Sequence, residues 1–80
     1  PLNVWKKVAN LDGKYISKYA KDFPDREDIS ETINWWVAVR CKQDRISKSN
    51  YKKILKAIPN RLKYLDEQNF DTSPLACNYN

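Results

Sequence analysis

Five carboxylates surround one arginine at a point where a helix is expected to begin. The stretch YAKDFPDREDISE holds Arg26 together with Asp22, Asp25, Glu27, Asp28 and Glu31. Acids of this kind stabilise the first turn of a helix, because they accept bonds from free backbone N–H groups and complement the helix dipole. Carboxylates are also zinc ligands, and a pair one helical turn apart can serve acid–base chemistry. The same residues therefore predict either a helix start or part of a metal or catalytic site.

The chain contains no histidine. Without histidine, a Ser-His-Asp or Cys-His catalytic site cannot be assembled, and a zinc site with imidazole ligands cannot be completed. Gly13 is the only glycine, which excludes glycine-rich loops that bind phosphate or dinucleotides. We therefore expect these residues not to be an enzyme by themselves. Metal-free hydrolysis by Glu27 and Glu31 stays formally open.

The stretch GKYISKYAKDFPDREDISETINWWVAV resembles the segment downstream of the HExxH helix in one group of zinc metallopeptidases. That group includes the anthrax lethal factor protease domain. In the family, Ser-x-Tyr and a small residue precede a helix that starts with a sequence like E-[DF]-F-A-E. The corresponding residues here are Ser17, Tyr19 and Ala20, then Glu27-Asp-Ile-Ser-Glu31. The spacing from Tyr19 to Glu27 is longer than in the family, and Phe23-Pro24 is the expected insertion.

The resemblance implies roles for four residues. Glu27 would be the third zinc ligand, and Tyr19 would be catalytic, stabilising the oxyanion of the tetrahedral intermediate. Asp28 and Glu31 would orient the ligand or its partners through hydrogen bonds. HExxH is absent from this sequence, so a zinc cofactor is expected only if a missing upstream segment supplies that helix. The chain would then be the C-terminal helical part of a secreted zinc metallopeptidase, not catalytic alone.

The elements that must position these residues are all predicted to be helices, joined by short connections. The sequence therefore indicates an all-α fold, a small bundle of three to four helices with an extended C-terminal tail. Residues 1–80 are expected to be a single small helical domain or the C-terminal subdomain of a larger protein. The predicted segments are Leu2 to Ala9, Lys14 to Ala20, Asp25 to Lys42, Ser47 or Ser49 to Ile58, and Asn60 to Gln68.

The segment from Asp25 to Lys42 gives the strongest helical pattern. Asp25 is the expected N-cap, and Asp28 stands where the acid of a capping box would lie. The expected apolar face comprises Ile29, Ile33, Trp36 and Val37, and Trp35, Ala38 and Val39 widen it. So wide a face indicates a central helix or one that packs on a missing upstream segment, a protein partner or a second copy of the chain.

Cys41 and Cys77 are the only cysteines, and a disulfide between them is expected. Closing a loop of this length would stabilise the fold by about 4 kcal/mol, according to the loop-entropy model. A disulfide favours a secreted or extracellular location, and two free thiols in a cytosolic protein are the alternative. The sequence has no apolar run long enough to span a membrane and no N-terminal signal peptide.

Charge is divided along the chain. Nine basic residues and one acid lie between Arg40 and Lys63, whereas five acids and one base lie between Asp22 and Glu31. The expected basic patch consists of Lys48, Lys52, Lys53 and Lys56. It favours a second interpretation, a self-contained basic secreted module, such as a toxin or defence protein that acts on anionic membranes or a protein partner. Nucleic-acid binding is a third interpretation without a supporting motif, and a plain solvated helix face is the simplest.

Overall fold

A computed structural model describes residues 2–79 of the chain. Five α-helices follow one another, and residues 2–79 contain no strand. The all-α prediction is therefore confirmed. The helices are α1 (Leu2–Asp12), α2 (Lys18–Asp22), α3 (Glu27–Cys41), α4 (Lys48–Ala57) and α5 (Pro59–Asp66), with a 3₁₀ turn at Gln43–Arg45 between α3 and α4. No helix in this part of the chain combines the length and the apolar character that crossing a membrane requires.

Three of the helices begin at residues that are favoured at helix N-termini, two serines and a proline. Ser17 caps α2 by accepting a bond from the Ala20 N–H at 3.0 Å, and Ser47 caps α4 through the Asn50 N–H at 3.1 Å. Pro59 is the first residue of α5, where its missing N–H has no cost. Ser47 is one of the two residues near which the sequence predicts that α4 begins, and Pro59, expected either to break a helix or to begin the last one, begins α5.

The predicted cap of α3 was wrong. Arg26 holds the N-cap position and makes no side-chain capping bond, whereas Asp25 pairs with Lys6 at 3.2 Å. The cause lies in the preceding turn, because the N–H groups of Arg26 and Glu27 both bond to the carbonyl of Phe23. This turn after Pro24 delays the helix beyond Asp25.

Helix α1 extends past the predicted stop at Ala9 to Asp12, and Gly13 then turns the chain with a positive φ of 69°. Glycine adopts this backbone conformation more readily than other residues because it has no Cβ atom. The extra turn of α1 matters for the fold because it brings the Asp12 carboxylate to the first turn of α5. Its contacts there are described with the candidate site.

Helices α3 and α5 lie at the centre of the fold. The core consists of Trp5, Trp36, Val39, Ile54, Ile58, Leu62 and Leu65. On α3 the inward positions are Asp28, Thr32, Trp36 and Val39, whereas Ile33 is exposed. The predicted stripe of Ile29, Ile33, Trp36 and Val37 was thus only partly right, because two inward positions hold polar residues that the hydrophobic pattern does not mark.

The C-terminal tail is extended, as expected, and lies against the end of α3. The Cys41–Cys77 disulfide is present, with an S–S distance of 2.05 Å, and the Asn78 N–H bonds to the Arg40 carbonyl at 2.6 Å. The rings of Phe70 and Tyr79 also contact Trp36. The tail is therefore attached to α3 by a disulfide, a backbone hydrogen bond and aromatic contacts.

Candidate functional site

Tyr19 and Glu27 both have solvent access. Tyr19 lies on α2 with 53% of its surface exposed, and its ring packs on Phe23 at a centroid distance of 5.1 Å. Glu27 is the first residue of α3, and 22% of its side chain is exposed. Its Oε1 atom forms an ion pair with Arg26 Nε at 3.2 Å. Arg26 is itself 77% exposed, and a surface pair of this kind contributes little, so the Glu27 carboxylate can change partner at small cost.

A serine and a glutamate join the helix of Tyr19 to the helix of Glu27. The Ser17 hydroxyl lies 2.9 and 3.0 Å from the two Glu31 carboxylate oxygens and donates to that carboxylate. The same oxygen caps α2 by accepting from the Ala20 N–H. Ala20 is fully buried, so a larger side chain would push α2 away from its neighbours. Ser17, Ala20 and Glu31 therefore fix α2 on α3.

Asp28 points into the protein. Its Oδ2 atom accepts bonds from Trp5 Nε1 at 2.8 Å and from Arg61 Nε at 3.0 Å. Both carboxylate oxygens are inside the fold, and Asp28 is 1% exposed. A direct bond from this carboxylate to a group on the surface of the domain would require local opening. Asp28 can influence Glu27 only through the shared first turn of α3.

Arg61 and Asp12 complete a buried network that the sequence interpretation missed. Arg61 is one of the nine basic residues counted between Arg40 and Lys63, yet it is fully buried and donates from Nη1 to Asp12 Oδ2 at 3.0 Å. Asp12 also accepts the backbone N–H groups of Asn60 at 2.7 Å and Arg61 at 3.1 Å, and so caps α5. The Tyr15 ring covers the guanidinium at 5.2 Å. No local pattern reveals this contact, because its partners lie 49 positions apart in the chain.

Potential metal ligands are not clustered in the part of the chain that the structure describes. Among residues 2–79 no group of three or more His, Cys, Asp or Glu side chains is arranged to bind one. A catalytic zinc needs about three protein ligands. Glu27 has a partly exposed carboxylate in the first turn of a helix and can supply one of them. Any complete zinc site would require ligands from polypeptide outside this sequence.

The predicted basic patch lies on the outer face of α4. Lys48, Lys52, Lys53 and Lys56 are all exposed, and α4 packs on the core through Ile54 on its other side. None of these lysines forms an ion pair with an acid among residues 2–79. Their ammonium groups are free to meet an anionic surface.

The chain was compared with models of known protein families, with curated proteins and with solved structures, and none of these comparisons gave a match.

Proposed function

We propose that this chain is the C-terminal helical part of a zinc metallopeptidase of the group that includes the anthrax lethal factor protease domain. Glu27 is then the third zinc ligand, and Tyr19 donates the hydrogen bond that stabilises the oxyanion. The HExxH helix belongs to polypeptide outside these residues. The observation that carries the proposal is the contact between two residues of the motif, Ser17, which caps α2, and Glu31 of α3.

The contact explains how residues of the motif could hold Tyr19 and Glu27 in a fixed arrangement. Ser17 starts the helix of Tyr19, Ala20 lets that helix approach its neighbours, and Glu31 holds Ser17 from one turn beyond Glu27. These residues therefore control the placement of α2 relative to α3, which is what two groups acting on the same substrate require.

Each residue has a limited task in the proposed reaction. When bound, zinc lowers the pKa of a water molecule to about 7 and polarises the substrate carbonyl. Glu27 would hold the zinc through its carboxylate, which lies in the first turn of α3 and is now paired with Arg26. Tyr19 keeps its phenol exposed, so its O–H can donate where negative charge develops on the substrate. Glu31 keeps α2 in place through Ser17.

The test uses the product of the full reading frame. We expect the frame to encode HExxH upstream and the purified protein to hold one zinc. Glu27→Gln should lower zinc affinity at least about tenfold, because a neutral amide is a poor ligand. The matched control is Glu67→Gln, which removes an exposed acid at the end of α5 and should leave zinc affinity unchanged. A frame without HExxH, or equal zinc affinity in both variants, would overturn the proposal.

Tyr19→Phe separates binding from catalysis. Removing one oxyanion donor should lower kcat for hydrolysis of labelled casein by about 10²–10³ while zinc content stays the same. Tyr79→Phe is the control, since Tyr79 is a half-exposed tyrosine that packs on Trp36 in the tail. Equal rates in the two variants would rule out the catalytic role of Tyr19.

The exposed lysines of α4 favour a second candidate function, a basic module that binds anionic membranes. Clustered lysines near a charged bilayer contribute about 1 kcal/mol each. Binding to vesicles rich in phosphatidylserine should therefore weaken with salt, and Lys52→Gln/Lys56→Gln should weaken it more than Lys7→Gln/Lys14→Gln, which removes the same charge elsewhere. Equal effects of the two double variants would exclude a role for α4, and binding to RNA but not to vesicles would favour the nucleic-acid interpretation.

A further inference from the structure

The geometry points to Arg61 as the positioning residue for Glu27. This inference rests on the proposed function and adds a residue that the motif does not contain. Arg61 belongs to α5, far from Glu27 in the chain, and does not touch its side chain. It acts through Asp28, the next residue of α3, whose Oδ2 atom it holds at 3.0 Å.

The first turn of α3 needs such an anchor. Its N-cap residue, Arg26, makes no side-chain bond to the free N–H groups, so the helix start lacks the usual local stabilisation. The Asp28 carboxylate instead bonds to Trp5 of α1 and Arg61 of α5. The orientation of the turn that carries Glu27 is thus set by tertiary contacts from two other helices.

Arg61 is itself held firmly. Asp12 accepts both the Arg61 backbone N–H at 3.1 Å and the side-chain Nη1 at 3.0 Å, and the Tyr15 ring covers the guanidinium. The guanidinium of Arg61, in the first turn of α5, thereby links Asp12 at the end of α1 to Asp28 at the start of α3. Lysine carries all its donors on one nitrogen, so it cannot reproduce the fixed planar geometry in which Nε meets Asp28 and Nη1 meets Asp12.

The network is not the most stable way to fill this space. It buries two carboxylates with one guanidinium, and within residues 2–79 Asp28 Oδ1 and Arg61 Nη2 have no hydrogen-bond partner. Apolar side chains of similar volume are often as stabilising as a buried ion network, or more so. What such a network provides is a defined geometry, and its position beside Glu27 places that geometry where a metal ligand would need it.

The chain offers a matched control at the other end of α3. Arg40 of α3 pairs with Asp66 of α5, with Nε at 3.0 Å and Nη2 at 2.9 Å. This second pair joins the same two helices and is also largely buried, but it lies 13 residues after Glu27 in the same helix. Arg40→Lys therefore reports the general cost of weakening an arginine–aspartate pair between α3 and α5.

The first measurement is amide hydrogen exchange in the 80-residue chain. In Arg61→Lys we expect exchange to speed up about tenfold at Glu31 and Thr32, whose backbone N–H groups bond to carbonyls of the first turn of α3. We expect little change at Arg40 and Cys41. Arg40→Lys should show the reverse. A uniform change along α3 in both variants would overturn the inference, because it would show a general loss of stability. Asp28→Asn gives a second test if Arg61→Lys does not fold.

The second measurement is zinc affinity in the full-length protein. Arg61→Lys should bind zinc about tenfold to a hundredfold more weakly than Arg40→Lys, when the two are compared at temperatures where both are folded. Equal affinities would contradict a positioning role. If the unchanged protein does not bind zinc, the proposed function fails, whereas the exchange experiment still decides whether Arg61 fixes the turn of Glu27.

Discussion

Two buried or nearly buried arginines determine how α5 is attached to the rest of the protein. Arg61 reaches Asp12 and Asp28 at one end of α5, and Arg40 reaches Asp66 at the other end. Asp66 also accepts a bond from Trp36 Nε1 at 2.7 Å. Removing one member of such a pair is costly, because it leaves the other charge in the interior without compensation.

Asp12→Ala should therefore lower the free energy of unfolding by about 3–5 kcal/mol. The variant loses the ion pair with Arg61 and two backbone bonds that cap α5. Urea denaturation followed by tryptophan fluorescence measures the change. Asp44→Ala, which removes an exposed aspartate from the 3₁₀ turn, is the control and should alter stability by less than about 0.5 kcal/mol. Equal effects would show that the buried network contributes nothing.

At the scale of helices, local capping signals determine where some helices begin, and tertiary contacts determine the rest. The sequence predicts the starts of α4 and α5 to within a residue or two, because Ser47 and Pro59 act on their immediate neighbours. It does not predict the start of α3, which the turn after Pro24 delays, or the inward face of α3, where Asp28 and Thr32 are buried polar residues. Asp28 is paired with α1 and α5, and the Thr32 hydroxyl bonds to the Asp28 carbonyl at 2.7 Å. Hydrophobic periodicity marks neither residue, because the Asp28 carboxylate is satisfied by partners distant in the chain and the Thr32 hydroxyl by the carbonyl one turn before it.

Some residues of the candidate site could be predicted from the sequence, and others could not. The resemblance singles out Ser17, Tyr19, Glu27 and Glu31 as candidates from a short motif, and the contact between Ser17 and Glu31 follows from the packing of α2 on α3. Arg61 and Asp12 could not be found by this route, since their contact depends on how α1 packs on α5. The roles of Tyr19 and Glu27 remain predictions.

Two serine caps allow the Ser17–Glu31 contact to be measured. Ser17→Ala loses an N-cap and the bond to Glu31, whereas Ser47→Ala loses only an N-cap. We expect a loss of about 1 kcal/mol for Ser47→Ala and about 2 kcal/mol for Ser17→Ala in chemical denaturation. The excess should disappear in the Glu31→Gln background if it comes from the charged contact. Equal losses in the two serine variants would mean that Glu31 does not hold α2.

Over the whole molecule, the disulfide compensates for a small core. Cys41 and Cys77 are 36 positions apart, and the bridge attaches a tail that has no helix of its own. Without it, the contacts of Phe70 and Tyr79 with Trp36 would have to hold the tail against its chain entropy.

The Cys41→Ser/Cys77→Ser variant should be less stable by up to about 4 kcal/mol. Its tryptophan emission should shift to longer wavelength before global unfolding, because Trp36 loses the cover of the tail. The unchanged protein treated with reductant is the comparison. A variant as stable as the oxidised protein, with unchanged emission, would show that the noncovalent contacts suffice.

Anomalous diffraction at the zinc edge, on crystals of the full-length protein, decides whether Glu27 binds zinc together with histidines from outside this sequence, as we propose. We predict one zinc at about 2.0–2.2 Å from a Glu27 carboxylate oxygen, with two imidazole ligands from an upstream helix. A Glu27 side chain that remains paired with Arg26 while zinc binds elsewhere, or no zinc peak at all, would contradict it.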